Sequence, residues 1–214
     1  MAIRVFLVDD HALVRTGMRM LLHGADGIEV VGEAASGEEA LPLVRRLQPD
    51  VVLCDLHLPG LSGLEITVRL VRSGIRVVVV SVLEGGPMPR RLIEAGACGY
   101  VGKGGDAGEL VRAVHAAAQG RRFLSSSIAQ GLALSGLDTA RSPFDALSAR
   151  ELEVAMLLVR GLRQEDIARR LSLSAKTINT HKSRLFDKLG IKDPIALARL
   201  ASQYGLVDPA DVVG

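Results

Sequence analysis

Five short valine-rich runs, IRVFLV (3–8), EVVGEA (29–34), DVVLC (50–54), IRVVVVS (75–81) and GYV (99–101), alternate with stretches of helical spacing at 11–23, 37–47, 63–73, 87–96 and 106–119. The runs are almost continuously apolar, as strands buried on both faces must be. Parallel strands need long crossovers between them, and helices supply those; right-handed crossovers then leave few topologies. Residues 1–120 are therefore expected to form an α/β domain of flavodoxin-like (βα)5 type, with strand order 2-1-3-4-5. The chain has no tryptophan and only 3% aromatic residues, so its core has to be built from Val, Leu, Ile and Ala.

On such a sheet the polar residues fall in a pattern. Asp9 and Asp10 close the first strand, Asp55 the third and Ser81 the fourth, and Lys103 follows the fifth. All lie at carboxyl ends of parallel strands, where these sheets open a crevice at the switch point. Acids converging there repel one another unless a positive partner sits between them. Lys103 is one candidate and a hard divalent cation such as Mg2+ is another, since Mg2+ accepts a few carboxylates plus water. A carboxylate can also act as a nucleophile toward phosphorus, with a metal and an ammonium neutralising the transferred group. The inventory matches that chemistry, with Asp55 as phosphoacceptor, Asp9 and Asp10 for the metal, and Lys103 and Ser81 for the phosphoryl oxygens. Helix capping accounts for Asp10 before His11 but not for five polar residues at four strand ends. Cys54 and Cys98 read as small core residues, although Cys54 adjoins Asp55 and leaves a redox influence on that site open.

After residue 120 the texture changes. Residues 121–145 are rich in Gly and Ser and read as a linker, with a short helix around 125–135. Residues 146–208 carry four helical segments, 148–161, 164–171, 175–189 and 194–204, and 209–214 form a tail. Ser174 suits the N-cap of the third helix, and Pro194 suits the first turn of the fourth. Ile167, Ala168 and Leu171 share one helical face, and Ile178 and Leu185 share another, so two helices pack across a turn at Ser172–Ser174. That is a helix-turn-helix, whose second helix enters the major groove of DNA. Asn179 can bond adenine bidentately, and Thr180 can touch a thymine methyl or a base edge. Thr177 and Ser183 are polar neighbours on the same helix, and Lys176, His181, Lys182, Arg184 and Lys188 can reach phosphates. Residues 160–192 hold nine basic and three acidic side chains, whereas 1–122 hold fourteen of each, so the positive charge sits where DNA would bind.

These motifs resemble known families. VDDH, D-L-H-L-P-G from Asp55 to Gly60, Ser81 after four valines, and GYVGK ending at Lys103 resemble the receiver domain of two-component response regulators. The resemblance implies that Asp10 ligates Mg2+ directly, that Asp9 acts through water, and that the backbone carbonyl of His57 joins Asp55 as a further ligand. It also implies Ser81 and Tyr100 as a switch pair. Two positions depart from the pattern: Gly104 stands where a proline with a cis bond is usual, and Val82 is bulkier than the usual alanine. L-S-x-R-E, E-D-I-A-R-R-L-S-L-S, T-I-N-T-H and K-L-G resemble the LuxR/FixJ/NarL-type DNA-binding domain. Together the halves resemble a NarL/FixJ-family response regulator, closest to the GacA/UvrY/LetA branch through GEEA, SPFDALS and YGLVD.

What that resemblance implies is a transcription switch. A sensor histidine kinase, of hybrid type in that branch, phosphorylates Asp55. The receiver, which covers the DNA-reading helix at rest, then releases it, and a homodimer binds double-stranded DNA and meets RNA polymerase. Targets in that branch encode small regulatory RNAs. Two other readings stand beside it: a DNA-binding regulator whose receiver ignores phosphate, and an aspartyl-phosphate phosphatase. The phosphatase wants a second acid two residues after its nucleophile, where this chain has His57. The amino-terminal residues MAIRVFLVDD lack the basic and apolar regions of a signal peptide, and no apolar run is long enough to span a membrane, so a cytoplasmic location is expected.

Overall fold

The computed structural model describes residues 2–82, 85, 87–137 and 142–204. The chain divides into two compact units, with the change between Ala133 and Leu134. The first unit is a single sheet of six strands in the order β2-β1-β3-β4-β5-β6. The strands are β1 Ile3–Val8, β2 Ile28–Ala34, β3 Val51–Asp55, β4 Arg76–Ser81, β5 Gly99–Gly102 and β6 Phe123–Leu124, and every pairing is parallel. The crossovers are α1 Ala12–His23, α2 Gly37–Leu47, α3 Gly63–Arg72, α4 Met88–Glu94 and α5 Ala107–Ala118. Each βα unit thus lies where the alternation of texture places it, within one or two residues.

Alternate strand residues serve opposite faces. Val5, Leu7, Val51, Leu53, Val78 and Val80 pack with Met18 and Leu22 of α1 and with Leu110, Ala113, Val114 and Ala117 of α5. Each such side chain contributes about 1.5–3 kcal/mol on burial, which holds the strands in register to their carboxyl ends. Helix α3 comes close enough to β3 that a Cβ on Gly63 would lie 2.3 Å from the Asp55 carbonyl oxygen and 2.6 Å from Leu56 Cα. The helix start is secured by a reciprocal capping box between Ser62 and Glu65.

The sixth strand departs from the sequence reading, whereas the helix after it falls on the short helix expected around 125–135 and runs two residues further. Phe123 N–H donates to the Cys98 carbonyl at 2.9 Å and Ser125 N–H to that of Tyr100 at 3.1 Å, so two residues extend the sheet. Helix α6, Ser126–Leu137, follows, its first amide bonded to the buried carboxylate of Glu109 at 3.2 Å. The expected linker, 121–145, therefore carries β6, α6 and a 3-10 turn at Pro143–Ala146. Residues 138–141, and the expected tail at 209–214, lie outside the described residues.

In the second unit α7 Ala149–Val159, α8 Gln164–Arg170, α9 Ala175–Leu189 and α10 Pro194–Gln203 reproduce the four expected helices. Ser148 and Glu151 form a capping box on α7, Ser174 accepts from Thr177 N–H to cap α9, and Asp193 caps α10 ahead of Pro194. Ile167, Ala168, Leu171, Ile178 and Leu185 are buried, which fixes α8 against α9 across the turn. Among the described residues no helix is long and apolar enough to cross a membrane.

The approach of α3 to β3 gives a direct test. Gly63→Ala places a methyl group against backbone atoms that cannot swing aside, and overpacking of this kind costs about 1–3 kcal/mol. Urea unfolding followed by circular dichroism should show the midpoint lowered, with the slope unchanged.

Candidate functional site: a carboxylate pocket and a basic helix

The sheet topology places β1 and β3 side by side, with Val8 opposite Cys54, so the residues that follow those partners meet at one end. Asp9 is fully buried and Asp55 is 3% exposed. Lys103 Nζ lies between them, 2.7 Å from Asp9 Oδ2 and 3.0 Å from Asp55 Oδ2. Lys103 is brought there by β5: Ser81 pairs with Gly102, and Lys103 N–H donates to the Ser81 carbonyl at 2.8 Å. The Lys103–Gly104 bond is trans, as are all described peptide bonds, so the loop reaches the pocket without the cis proline of the usual pattern. Ser81 closes β4 and is fully buried, and Tyr100 is fully buried on β5. Val82, the other departure, is 58% exposed and faces solvent.

Asp10 is partly exposed at the start of the α1 turn, and His11 beside it sends Nδ1 to 2.7 Å from Asp10 Oδ1. One donor atom from each of Asp9, Asp10, His11 and Asp55 lies within 4.8 Å of all the others. Sequence reasoning passed over three supports of this pocket. Arg15 donates to the Asp9 carbonyl oxygen. Glu38 accepts from Leu61 N–H at 3.0 Å, tying the loop after Asp55 to α2. His57 is buried, and its backbone amide bonds the Asp55 carboxyl. The spacing of Arg15 and Glu38 carried no signal, because both act on backbone groups of distant or irregular segments.

Burial pushes the Asp55 carboxyl up to about 6; Lys103 opposes that rise, and the neighbouring Asp9 adds to it. Lys103 is itself raised, since its two carboxylate partners outweigh the burial that works against its charge. Burial is the largest influence on both groups, and the ammonium and the carboxylates favour one another's charged forms. Asp55 Oδ1 is buried with no hydrogen-bond partner. Such an orphaned acceptor, with carboxylate oxygens converging on it, fits a hard divalent cation of the Mg2+ type. Burial drives the Cys54 thiol far above its ordinary value, with Asp55 next in effect, and the sulfur bonds only the Asp55 carbonyl, so this cysteine is of the inert kind.

On α9, Lys176, Asn179, Thr180, Ser183 and Arg184 are exposed. Thr177 is tied to the cap, its hydroxyl 2.8 Å from that of Ser174, and Thr180 Oγ1 donates to the Lys176 carbonyl at 3.0 Å. Lys182 sits over the Phe186 ring, 5.5 Å from its centroid. Two more of the residues expected to reach phosphates have charged neighbours on α7. Lys188 Nζ is 2.6 Å from Glu151 Oε2, which clamps α9 to the capping box of α7. Partial burial works against the Glu151 charge, but Lys188 and Ser148 hold its carboxyl below the usual range. His181 is half-buried; burial, then Arg150, holds its ring below its ordinary value, so it is uncharged at neutral pH.

Comparison with known proteins agrees with both halves. Residues 5–115 match the family model described as response regulator receiver domain, and 145–201 match bacterial regulatory proteins, luxR family. The response regulator GacA of Pseudomonas viridiflava is 48% identical over 210 residues, covering 96% of this chain and 98% of that protein. UvrY of Escherichia coli K12 is 41% identical, covering 95% of each. A solved structure of RcsB from Salmonella enterica serovar Typhimurium, bound to promoter rprA in the presence of the phosphomimetic BeF3−, superposes with a TM-score of 0.68. It is 27% identical and covers 94% of this chain and 99% of that one.

The raised Asp55 carboxyl sets a pH dependence. The folded state holds this proton more tightly than the unfolded state, so its contribution to stability is complete below about 3.8 and is lost as pH rises through about 6. In chelator, Asp55→Asn should match the wild type near pH 4 and exceed it by about 1–3 kcal/mol at pH 8. Paired urea melts across that range check it, and a gap that opens toward acid instead would reverse the sign.

Proposed function

This chain belongs to the response regulators that join a receiver domain to a LuxR-type DNA-binding domain, with GacA and UvrY as homologues over nearly its whole length, and on that premise we propose that phosphorylation of Asp55 controls how α9 engages DNA. Its homologues are transcription regulators of two-component systems, not phosphatases. The observation that carries the proposal is Lys103 Nζ set within 3.0 Å of Asp55 and 2.7 Å of Asp9 at the mouth of the sheet.

In the proposed reaction one Asp55 oxygen bonds the phosphorus of a donor phosphoryl group while the bond from phosphorus to the donor breaks, its electrons leaving with the donor. The donor is a sensor histidine kinase, of the hybrid type in this branch. Lys103 then contacts one phosphoryl oxygen and the Ser81 hydroxyl donates to another. Asp10, Asp55 and the His57 carbonyl would hold Mg2+, with Asp9 acting through water; when bound, the ion supplies positive charge to the transferred oxygens. The new group adds roughly −1.5 to −2 charges. Ser81 turning toward it would free space for Tyr100, repacking the β4–β5 face. Shifting such a two-state equilibrium from about 1:99 to 99:1 requires about 5.5 kcal/mol of differential stabilisation.

The DNA-facing part is α9. Asn179 and Thr180 would read base edges, with Thr177 and Ser183 beside them, and Lys176, Lys182 and Arg184 would contact phosphates. His181 and Lys188 are further phosphate-contact candidates, and Lys188 also ties α9 to α7 through Glu151. A homodimer would present two copies of α9 to a two-fold related site. The promoter-bound, phosphomimetic-treated RcsB structure supports this coupling. A cytoplasmic location, contact with RNA polymerase and target genes for small regulatory RNAs complete the proposal. Residues 1–120 serve as the receiver and 146–208 as the DNA-binding domain in this scheme.

A small phosphodonor with Mg2+ should raise the affinity of the wild type for its promoter by roughly 5- to 150-fold, the usual span of such coupling, and leave Asp55→Asn unchanged. Fluorescence anisotropy on a footprinted promoter fragment measures it; equal gains in both proteins would sink the phospho-switch. On the same fragment Asn179→Ala should cost about 1–3 kcal/mol and relax specificity at one base pair. Lys182→Ala should weaken all sequences alike and reduce the salt slope by about one.

A further inference from the structure

The carboxylates at the strand ends divide their oxygens between two sides. The Oδ2 atoms of Asp9 and Asp55 face Lys103, at 2.7 and 3.0 Å. Asp55 Oδ1 is buried without a hydrogen-bond partner, and Asp9 Oδ1 accepts the His11 backbone N–H at 2.8 Å. At this second set of oxygens stands a ring nitrogen. His11 Nδ1 lies 2.7 Å from Asp10 Oδ1 and 3.5 Å from Asp9 Oδ1, and it completes the group of four donors that falls within 4.8 Å. The imidazole keeps 52% of its surface exposed, so it can adjust without disturbing the core.

Ligands held about 2.1 Å from an octahedral ion lie about 3.0 Å apart when adjacent and about 4.2 Å apart when opposite. The separation of His11 Nδ1 from Asp10 Oδ1, 2.7 Å, lies near the adjacent spacing. The geometry points to His11 Nδ1 as a nitrogen ligand of the divalent ion that Asp10 and Asp55 would hold, with Asp9 acting through water, which makes the pocket favour first-row transition ions such as Co2+ over Mg2+ more strongly than carboxylates alone. This rests on the acidic ion site proposed above and adds to it a residue that sets metal choice. Imidazole is a good donor to the later first-row ions, whereas Mg2+ prefers oxygen and gives up its water reluctantly. A purely electrostatic contact of Nδ1 with Asp10 produces the same 2.7 Å separation, and the two readings separate on selectivity.

The experiment titrates the full chain with Co2+ and with Mg2+ by calorimetry, in wild type, His11→Gln and Asp10→Asn, with thermal melts to confirm folding. His11→Gln should weaken Co2+ by about 10-fold or more, within the range seen when the surroundings of a metal site are altered, and Mg2+ by less than about 2-fold. Proton NMR of the Co2+-loaded wild type should show a strongly shifted, exchangeable imidazole resonance that is missing in His11→Gln. Equal weakening of both ions, or no change in either and no shifted resonance, overturns the assignment of His11. If Asp10→Asn also binds both ions as the wild type does, the acidic ion site itself falls; if Asp10→Asn weakens both while His11→Gln alters neither, only the role of His11 falls.

Discussion

A single ammonium between two buried carboxylates organises the receiver half of this protein. Asp9 and Asp55 sit at the ends of adjacent parallel strands, nearly out of water, and two carboxylates so placed cannot both stay charged without a positive neighbour. Lys103 supplies that neighbour at 2.7 and 3.0 Å, from a third strand end that the main chain pins through the Ser81 carbonyl. The Asp55 carboxyl is raised chiefly by its burial, which Lys103 offsets only in part. One buried positive charge faces more than one negative one, and the residual negative potential is what a divalent ion or a change of charge at Asp55 would act upon.

The sheet makes this arrangement possible and the helices keep it rigid. Valines buried on both faces let β1, β3 and β4 run side by side to their carboxyl ends, and the ends carry the polar groups because only there does the backbone emerge from the core. Gly63 permits α3 to close against the Asp55 carbonyl, and Glu38 holds the intervening loop through Leu61 N–H. In the helical half the same economy appears at Glu151. It closes the α7 capping box and receives Lys188 of α9, so one carboxylate both starts a helix and orients the helix that would meet DNA.

Much of this was legible in the residues, and what was not has physical causes. Five of the six strands and the helices of both units follow from the change between continuous valine runs and helical spacing, since burial on two faces leaves no other pattern. Ser174 and Pro194 mark helix starts because capping and first-turn geometry depend on local chemistry alone. Strand β6 escaped notice because a two-residue strand has no period to read, and Arg121, Arg122 and the serines around it look like surface. Helix α6 was expected around 125–135, but its anchor on Glu109, seventeen residues earlier, is tertiary and left no local mark. Lys188 has the type of a phosphate contact, and its ion pair with Glu151 of α7 is a tertiary contact that no local pattern announces. The convergence of Asp9, Asp10, Asp55 and Lys103 was readable because strand topology alone determines which ends are neighbours.

The incomplete neutralisation also bears on reactivity. A carboxylate attacks phosphorus only when ionised, and burial that pushes Asp55 to about 6 works against ionisation. At pH 7 a group titrating near 6 is still charged by about ten to one, so the shift removes little of the charged form that the proposed reaction needs while leaving it poorly solvated. Desolvation without loss of charge is a favourable state for an attacking oxygen, because few water contacts have to be broken as the new bond forms. Had Lys103 been absent, the same burial would have carried Asp55 higher and suppressed the charged form; had the pocket been open, water would have stabilised the carboxylate and blunted it. The position of Lys103, close to both acids, is therefore what would let Asp55 stay buried and charged together, as the phosphoacceptor role proposed for it requires.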